Sequence, residues 1–322
     1  MPNSRREFLK NMTGVAAATA TLSAPTLSSG ADAAPPVFPS EASYLEINGV
    51  VVGMLDSTIG GGMQAQVVPE LEQATGIIRK HLAFPKPVPI QMRFGVSMRQ
   101  EFWDVASRFL NKEIPTFSGA ILRVSAVTQG VNALKLTVVQ RIAFTDAVMT
   151  SFLVDGFSRE GDAIGPVEFE ARILPAAVSR PPGPFPIAKF VVPVGKPSLT
   201  NNFRLTINNI GTQLDSIGQI SSFGATQSGF LDLSDLVFTL PEELTADFAA
   251  WFQNLATGAQ NDERSGRLDA LAPNGTKVLY SFTFGNLGIY RINPLSQTGG
   301  VPMVELTLYA ETLSFRLAPP PA

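Results

Sequence analysis

The 322-residue chain contains no cysteine and a single histidine, His81. Without thiols it has no disulfide framework, and one imidazole excludes zinc, haem and iron–sulfur sites of the usual ligand sets. A serine nucleophile would lack its base, and neither a Gly-x-Ser-x-Gly elbow nor a Ser-x-x-Lys pair occurs. Ser228-Gly229 reads only as a turn, and His81, between basic residues in IIRKHLAF, reads as a half-exposed strand residue. Charge is also scarce: charged residues make up 16% of the chain, and a formal net charge of −3 gives no basic surface for nucleic acid. Gly60-Gly61-Gly62 lacks the spacing and the following helix of a phosphate-binding loop, so it reads as a loop. These absences imply no catalytic residue, no cofactor and no metal.

What the chain has instead is apolar surface. Apolar residues reach 45% and mean hydropathy is positive, which for an exported protein implies burial between subunits. The export expectation comes from Ser4-Arg5-Arg6-Glu7-Phe8-Leu9-Lys10, which matches the twin-arginine signal for proteins that cross a membrane folded. An apolar stretch too short to span a bilayer follows, from Met12 to Pro25, and then a small-x-small site at Ala31-Asp32-Ala33. Residues 1–33 are therefore expected to be removed. Three bases (Arg5, Arg6, Lys10) and two acids (Glu7, Asp32) leave with them, moving the net charge from −3 to about −4. The product is expected in the periplasm or outside the cell, with no integral membrane segment.

The remainder reads as β and is written twice. YLEINGVVVGML forms a hairpin about Asn48-Gly49. SMRQEFWDVASRFLNK forms a helix capped by Ser97, with Met98, Phe102, Val105, Phe109 and Leu110 on one face. Strands follow in AILRVSAV and ALKLTVVQRIAF, then the turn DGFSREGD and a closing strand, VEFEARIL. After the proline-rich segment SRPPGPFPIAKFVVPVGKP the order begins again. FRLTINNIG corresponds to the opening strand, and LTADFAAWFQNL to the helix, with Leu244, Phe248, Trp251, Phe252 and Leu255 apolar. RLDAL and KVLYSFTF are joined by Pro273-Asn274-Gly275, and VELTLYAETL closes as one strand. Offsets between matching positions shrink along the chain: 214 − 55 = 159, 248 − 102 = 146 and 304 − 167 = 137, the trend of a duplication with shorter loops in its second copy.

In NGVVVGMLDSTIGGGMQAQVV, in IIRKHLAFPKPVPIQMRFGVSMRQEFWDVASRFLN and in VEFEARIL, the chain resembles the phage tail-tube protein family, of the contractile-tail tube subunit type. The run Pro89 to Val96 stands where the family writes a basic strand, and Asp146 and Asp155-Gly156 fall near its pre-closing turn. The resemblance implies a mainly β fold, a β-barrel or sandwich with one flanking α-helix per repeat, as two tandem tail-tube-like domains. The expected boundaries are 43–178 and 202–317, joined by a linker over 179–201. It further implies a homo-oligomeric ring, trimeric and pseudo-hexameric, that stacks into tubes. Partners would then be other copies of the chain.

One charge pattern gives candidate interface residues. No acid occurs from Ile77 to Gln100, where Arg79, Lys80, Lys86, Arg93 and Arg99 are basic, while Glu160, Asp162, Glu168 and Glu170 form an acidic stretch. The expectation is that the two stretches meet between neighbouring copies and set their register. Two other functional classes remain open at this point. One is a secreted monomeric β-scaffold that binds carbohydrate or lipid. The other is a hydrolase using the loop carboxylates Asp155, Glu160, Asp162, Asp262, Glu263 and Asp269.

Overall fold

Alternating and continuous apolar runs give strands along most of the chain. A computed structural model describes residues 41–128, 134–159, 165–183, 185, 198–211, 216–258, 262–295 and 300–318. The first half forms β1 (Glu41–Ile47), β2 (Val50–Leu55), β3 (Ser57–Ile59), β4 (Met63–Gln64), β5 (Val67–Glu72), β6 (Ile77–Leu82), β7 (Lys86–Pro87), β8 (Ile90–Phe94), α1 (Gln100–Leu110), β9 (Thr116–Thr128), β10 (Leu134–Val154), β11 (Phe157–Ser158), β12 (Phe169–Leu174) and β13 (Ala177–Ser179). The fold is mainly β, with a nearly closed barrel-like sheet. The second half forms β14 (Phe203–Ile207), β15 (Gln219–Ile220), β16 (Phe223–Gln227), β17 (Leu231–Leu233), β18 (Leu236–Pro241), α2 (Ala246–Ala256), β19 (Arg264–Leu271), β20 (Val278–Leu295), β21 (Met303–Tyr309) and β22 (Thr312–Leu317). The signal-like residues 1–33 and most of the linker lie outside the described residues.

The turn signals act as their chemistry requires. Asn48 and Gly49, at φ 49° and 83°, both take the left-handed conformation that a two-residue hairpin demands between β1 and β2. Pro273-Asn274-Gly275 turns the chain between β19 and β20, with the Gly275 N–H donating to the Ala272 carbonyl at 2.8 Å. The helix start differs from the sequence expectation. Arg99, not Ser97, is the N-cap residue of α1, and it makes no side-chain capping bond. Its carbonyl instead accepts from the Phe102 N–H at 3.1 Å, while its own N–H donates to the Val52 carbonyl at 2.7 Å. The helix entry is thus held by β2 and not by a local cap.

Pairing is antiparallel and follows one plan twice. The first sheet runs β2-β1-β9-β10-β12-β8-β3, and the second runs β14-β19-β20-β21-β18-β15. Matching β1 with β14, β9 with β19, β10 with β20, β12 with β21, β8 with β18 and β3 with β15 makes the two orders correspond, with β2 the one strand of the first order that has no counterpart among the described residues. β13 lies against β10 as β22 lies against β20. The registers agree as well. Met149 faces Ile173 and Ile289 faces Leu308, each just before an irregularity in the ladder. Asp146 and Asn286 (286 − 146 = 140) each carry a left-handed φ, 48° and 51°, at the point where the long strand bends. The bend explains why VELTLYAETL splits into two strands. β21 follows the outer part of β20, and β22 continues along the inner part in the same register, the break at Ala310-Glu311 falling opposite Asn286.

The halves also exchange strands. β16, from the second half, pairs with Ser151–Val154 of β10, and β11, from the first, pairs with β15. One apolar core consequently runs through both. Trp103 of α1 stacks on Phe315 of β22 with ring centroids 4.3 Å apart, and Phe169 meets Tyr280 edge-on at 5.6 Å.

Candidate interaction surface

The antiparallel register of β8 and β12 places Arg93 opposite Glu170. The Arg93 Nε–H donates to Glu170 Oε2 at 3.3 Å, and the guanidinium lies 3.7 Å from Glu168. The basic and acidic stretches therefore meet within one chain at this point. Partial burial, and then the Glu168 carboxylate, push Asp56 above the ordinary carboxylate range. Arg99 is 3.5 Å from Glu101 beside it, and Arg79 grips Glu72 across the β5–β6 hairpin at 3.0 Å. Lys80 and Lys86 make no ion pair among the described residues. Glu160 and Asp162 lie outside them. His81 is exposed on β6, with Nε2 3.1 Å from Glu70.

Three of the carboxylates considered for chemistry, Asp262, Glu263 and Asp269, are held by separate partners. Asp262 accepts from the Arg264 guanidinium at 2.8 Å, and that guanidinium lies over the Trp251 ring at 4.7 Å. Glu263 accepts from the Tyr309 hydroxyl at 3.0 Å. Asp269 lies inside β19 and not in a loop. It accepts from Ser281, Arg267 and Arg204 at 2.6, 2.7 and 3.2 Å. Among the described residues no three acidic or histidine side chains converge as metal ligands.

Three features lack a partner of their own. The β5–β6 hairpin is a separate two-stranded sheet whose apolar residues, Val67, Leu71, Ile77, Ile78 and Leu82, are all exposed, and Phe84 beyond it is 94% exposed. At its base β4 and β7 form another isolated two-stranded ladder. Among the described residues, no strand pairs with β20 between Arg291 and Leu295 on the edge away from β21. Beside that edge is a groove of about 510 Å³ lined by Phe252, Leu255, Gly258, Ile289, Tyr290 and Tyr309. Its rim is acidic. The Tyr290 hydroxyl donates to Asp235 at 2.5 Å, a bond that, ahead of desolvation, raises the tyrosine's pKa. Desolvation first, and then Glu263, raise that of Tyr309.

The helix aromatics Phe102, Trp103, Phe109, Phe248 and Trp251 are buried, as their spacing implies, whereas Phe252 opens onto the groove. The arm escaped the sequence reading, although a signal was present. Val67-Val68 and Ile77-Ile78 put apolar side chains on both faces of one hairpin, a pattern that a strand solvated on one face does not show.

No protein-family model matches the chain, and no curated protein matches it. Among the solved structures that match are components of contractile injection systems. The anti-feeding prophage baseplate, six-fold symmetrised, is 12% identical at a TM-score of 0.30, covering 38% of this chain and 97% of that one. The cap that terminates the anti-feeding prophage tube is 9% identical at 0.20, covering 91% and 100%. The PVC sheath–tube complex of an extracellular contractile injection system, in its extended state, is 7% identical at 0.19, covering 89% and 94%. At these scores the likeness carries no argument about this chain.

Proposed function

We propose that the chain is a structural subunit that assembles with copies of itself into rings, three chains supplying six half-units, and that the rings stack into tubes. One observation carries this reading: each half completes a sheet of the other, β16 on β10 and β11 on β15. The surfaces used by the two halves differ, so the contact is heterologous. Such a contact repeats until a ring closes or a filament grows. Edges left open by the last half-unit need another copy, because unpaired strands and exposed apolar hairpins are otherwise sites of uncontrolled association.

The shared strand order and registers support a tandem duplication, with halves at 43–178 and 202–317 and a linker over 179–201. The tail-tube resemblance of the first half points to the same architecture. The Ser4–Lys10 string supports export through the twin-arginine route, with assembly completed beyond the cytoplasmic membrane. Light scattering coupled to size exclusion tests the assembly. The expected mass is three chains, with six-fold pseudo-symmetric rings in electron micrographs. A single-chain mass at every concentration overturns it.

A further inference from the structure

The internal contact between the halves shows what the open surfaces are built to receive. Between β15 and β18 the second half inserts the β16–β17 hairpin, and between β3 and β8 the first half inserts β4 to β7. The two inserts share a register. Ala225 pairs with Leu233 and Thr226 with Asp232, as Met63 pairs with Pro87 and Gln64 with Lys86. The offset is 162 on the first strand (226 − 64) and 146 on the second (232 − 86), which is also the offset between the helices. The difference, 16 residues, is the length by which the first-half insert is extended as the β5–β6 arm.

β16 has a place to go: it adds to β10, with Thr226 opposite Ser151 and Gly224 opposite Leu153. A Cβ at Gly224 would lie 2.1 Å from the Phe152 carbonyl oxygen, so only glycine allows this approach. Beyond it, Phe230 and Leu231 border a cleft at the end of α1 whose other wall is Phe109 and Lys112, with Phe230 itself 73% exposed in the single chain. The counterparts of these positions are open. At the offset of 140, Ser151 corresponds to Arg291 and Leu153 to Asn293, on the unpaired edge of β20. Phe109 and Lys112 correspond to Leu255 and Gly258 in the groove beside α2. Gly224 corresponds to Gly62, where an added Cβ meets nothing within 4 Å and φ is not left-handed. The glycine there has no use inside one chain. Phe230 corresponds to Phe84 (230 − 84 = 146).

We propose that β4 of one copy adds as an antiparallel strand to Arg291–Asn293 of β20 in a second copy, bringing Phe84 against the groove beside α2. Gln64 then lies opposite Arg291, Met63 opposite Ile292 and Gly62 opposite Asn293. Pro294 ends the ladder, having no N–H to donate. Lys80 and Lys86, unpaired in their own chain among the described residues, approach a rim carrying Asp235 and Glu263. The β5–β6 arm continues past the groove over the neighbouring copy. This docking rests on the self-assembly reading and names the surfaces through which it occurs.

The absence of cysteine makes a cross-link test clean. In the full chain, oxidised Gln64→Cys/Arg291→Cys is expected to convert the single-chain band into covalent multiples, while Ser151→Cys/Thr226→Cys closes within one chain and leaves the mass unchanged. Phe84→Asp, at an exposed position, is expected to reduce the assembled mass to one chain with the circular dichroism spectrum intact. Three results each overturn the docking and leave self-assembly standing: oligomers that form without the interchain bond, a disulfide that joins the two introduced thiols of the first variant within one chain, or assembly that survives Phe84→Asp. A chain that stays monomeric before any substitution overturns both.

Discussion

Asp269 has 6% of its side chain exposed and three donors around it. Burial opposes its ionisation. The bonds from Ser281, Arg267 and Arg204 outweigh that and hold its pKa below the usual carboxylate value. A depressed folded-state pKa stabilises the fold above the unfolded value of 3.8, and the contribution disappears as pH falls through the folded value. Asp269→Asn is expected to cost roughly 1–3 kcal/mol at neutral pH, towards the low end because Arg204 and Arg267 keep access to water. The gap from wild type, read from denaturant midpoints, should begin to narrow below about pH 4 and go on narrowing as pH falls through the folded-state value. An equal gap at pH 7 and pH 3 would refute the ionic explanation. The glycine pair gives a second residue-scale contrast. Gly224→Ala meets the Phe152 carbonyl and is expected to lose about 1–3 kcal/mol, whereas Gly62→Ala leaves the single chain's unfolding curve unchanged.

At the scale of elements, the two long strands organise the fold. β10 and β20 each serve two sets of neighbours by bending at Asp146 and Asn286, so one strand contributes to both walls of its barrel-like sheet. The helices fill the space that these bends leave. Trp103 meets Phe94, Phe152, Phe169 and Phe315, and its Nε1–H donates to the Met98 carbonyl at 2.9 Å. Since Phe315 lies on β22, this side chain joins the first half to the last strand of the second. Trp103→Ala should cost about 3–5 kcal/mol, measured by chemical denaturation, and the two halves should still unfold in one transition. Separate transitions would show that the shared core does not couple them. The helices themselves were legible from the 3.6-residue spacing of apolar residues. The Ser97 cap was not borne out, because the orphan backbone groups at the helix entry are met by β2, which local sequence does not reveal.

At the scale of the whole molecule, the chain pairs segments far apart in sequence, such as Ser107 with Phe315, whose carbonyl accepts from the serine hydroxyl at 3.5 Å. Non-local β pairing forms slowly and leaves edges exposed while it forms. For the export proposed above, that supplies a physical motive for crossing a membrane already folded. Replacing residues 1–33 with a signal for the unfolded route is accordingly expected to yield aggregated or degraded product. Normal yields of soluble protein would remove the motive.

The sequence alone determined the strand-rich class, the two helices, and the turns at Asn48-Gly49 and Pro273-Asn274-Gly275. Each rests on periodicity or on a backbone conformation that few residue types tolerate, and both are local properties. Only the tertiary structure decided that Arg93 meets Glu170 inside one chain, that β16 crosses to β10, and that an apolar arm and an edge of β20 remain uncovered. Those outcomes depend on which backbone donors and acceptors find each other across long separations, and no local pattern of residues specifies the partner.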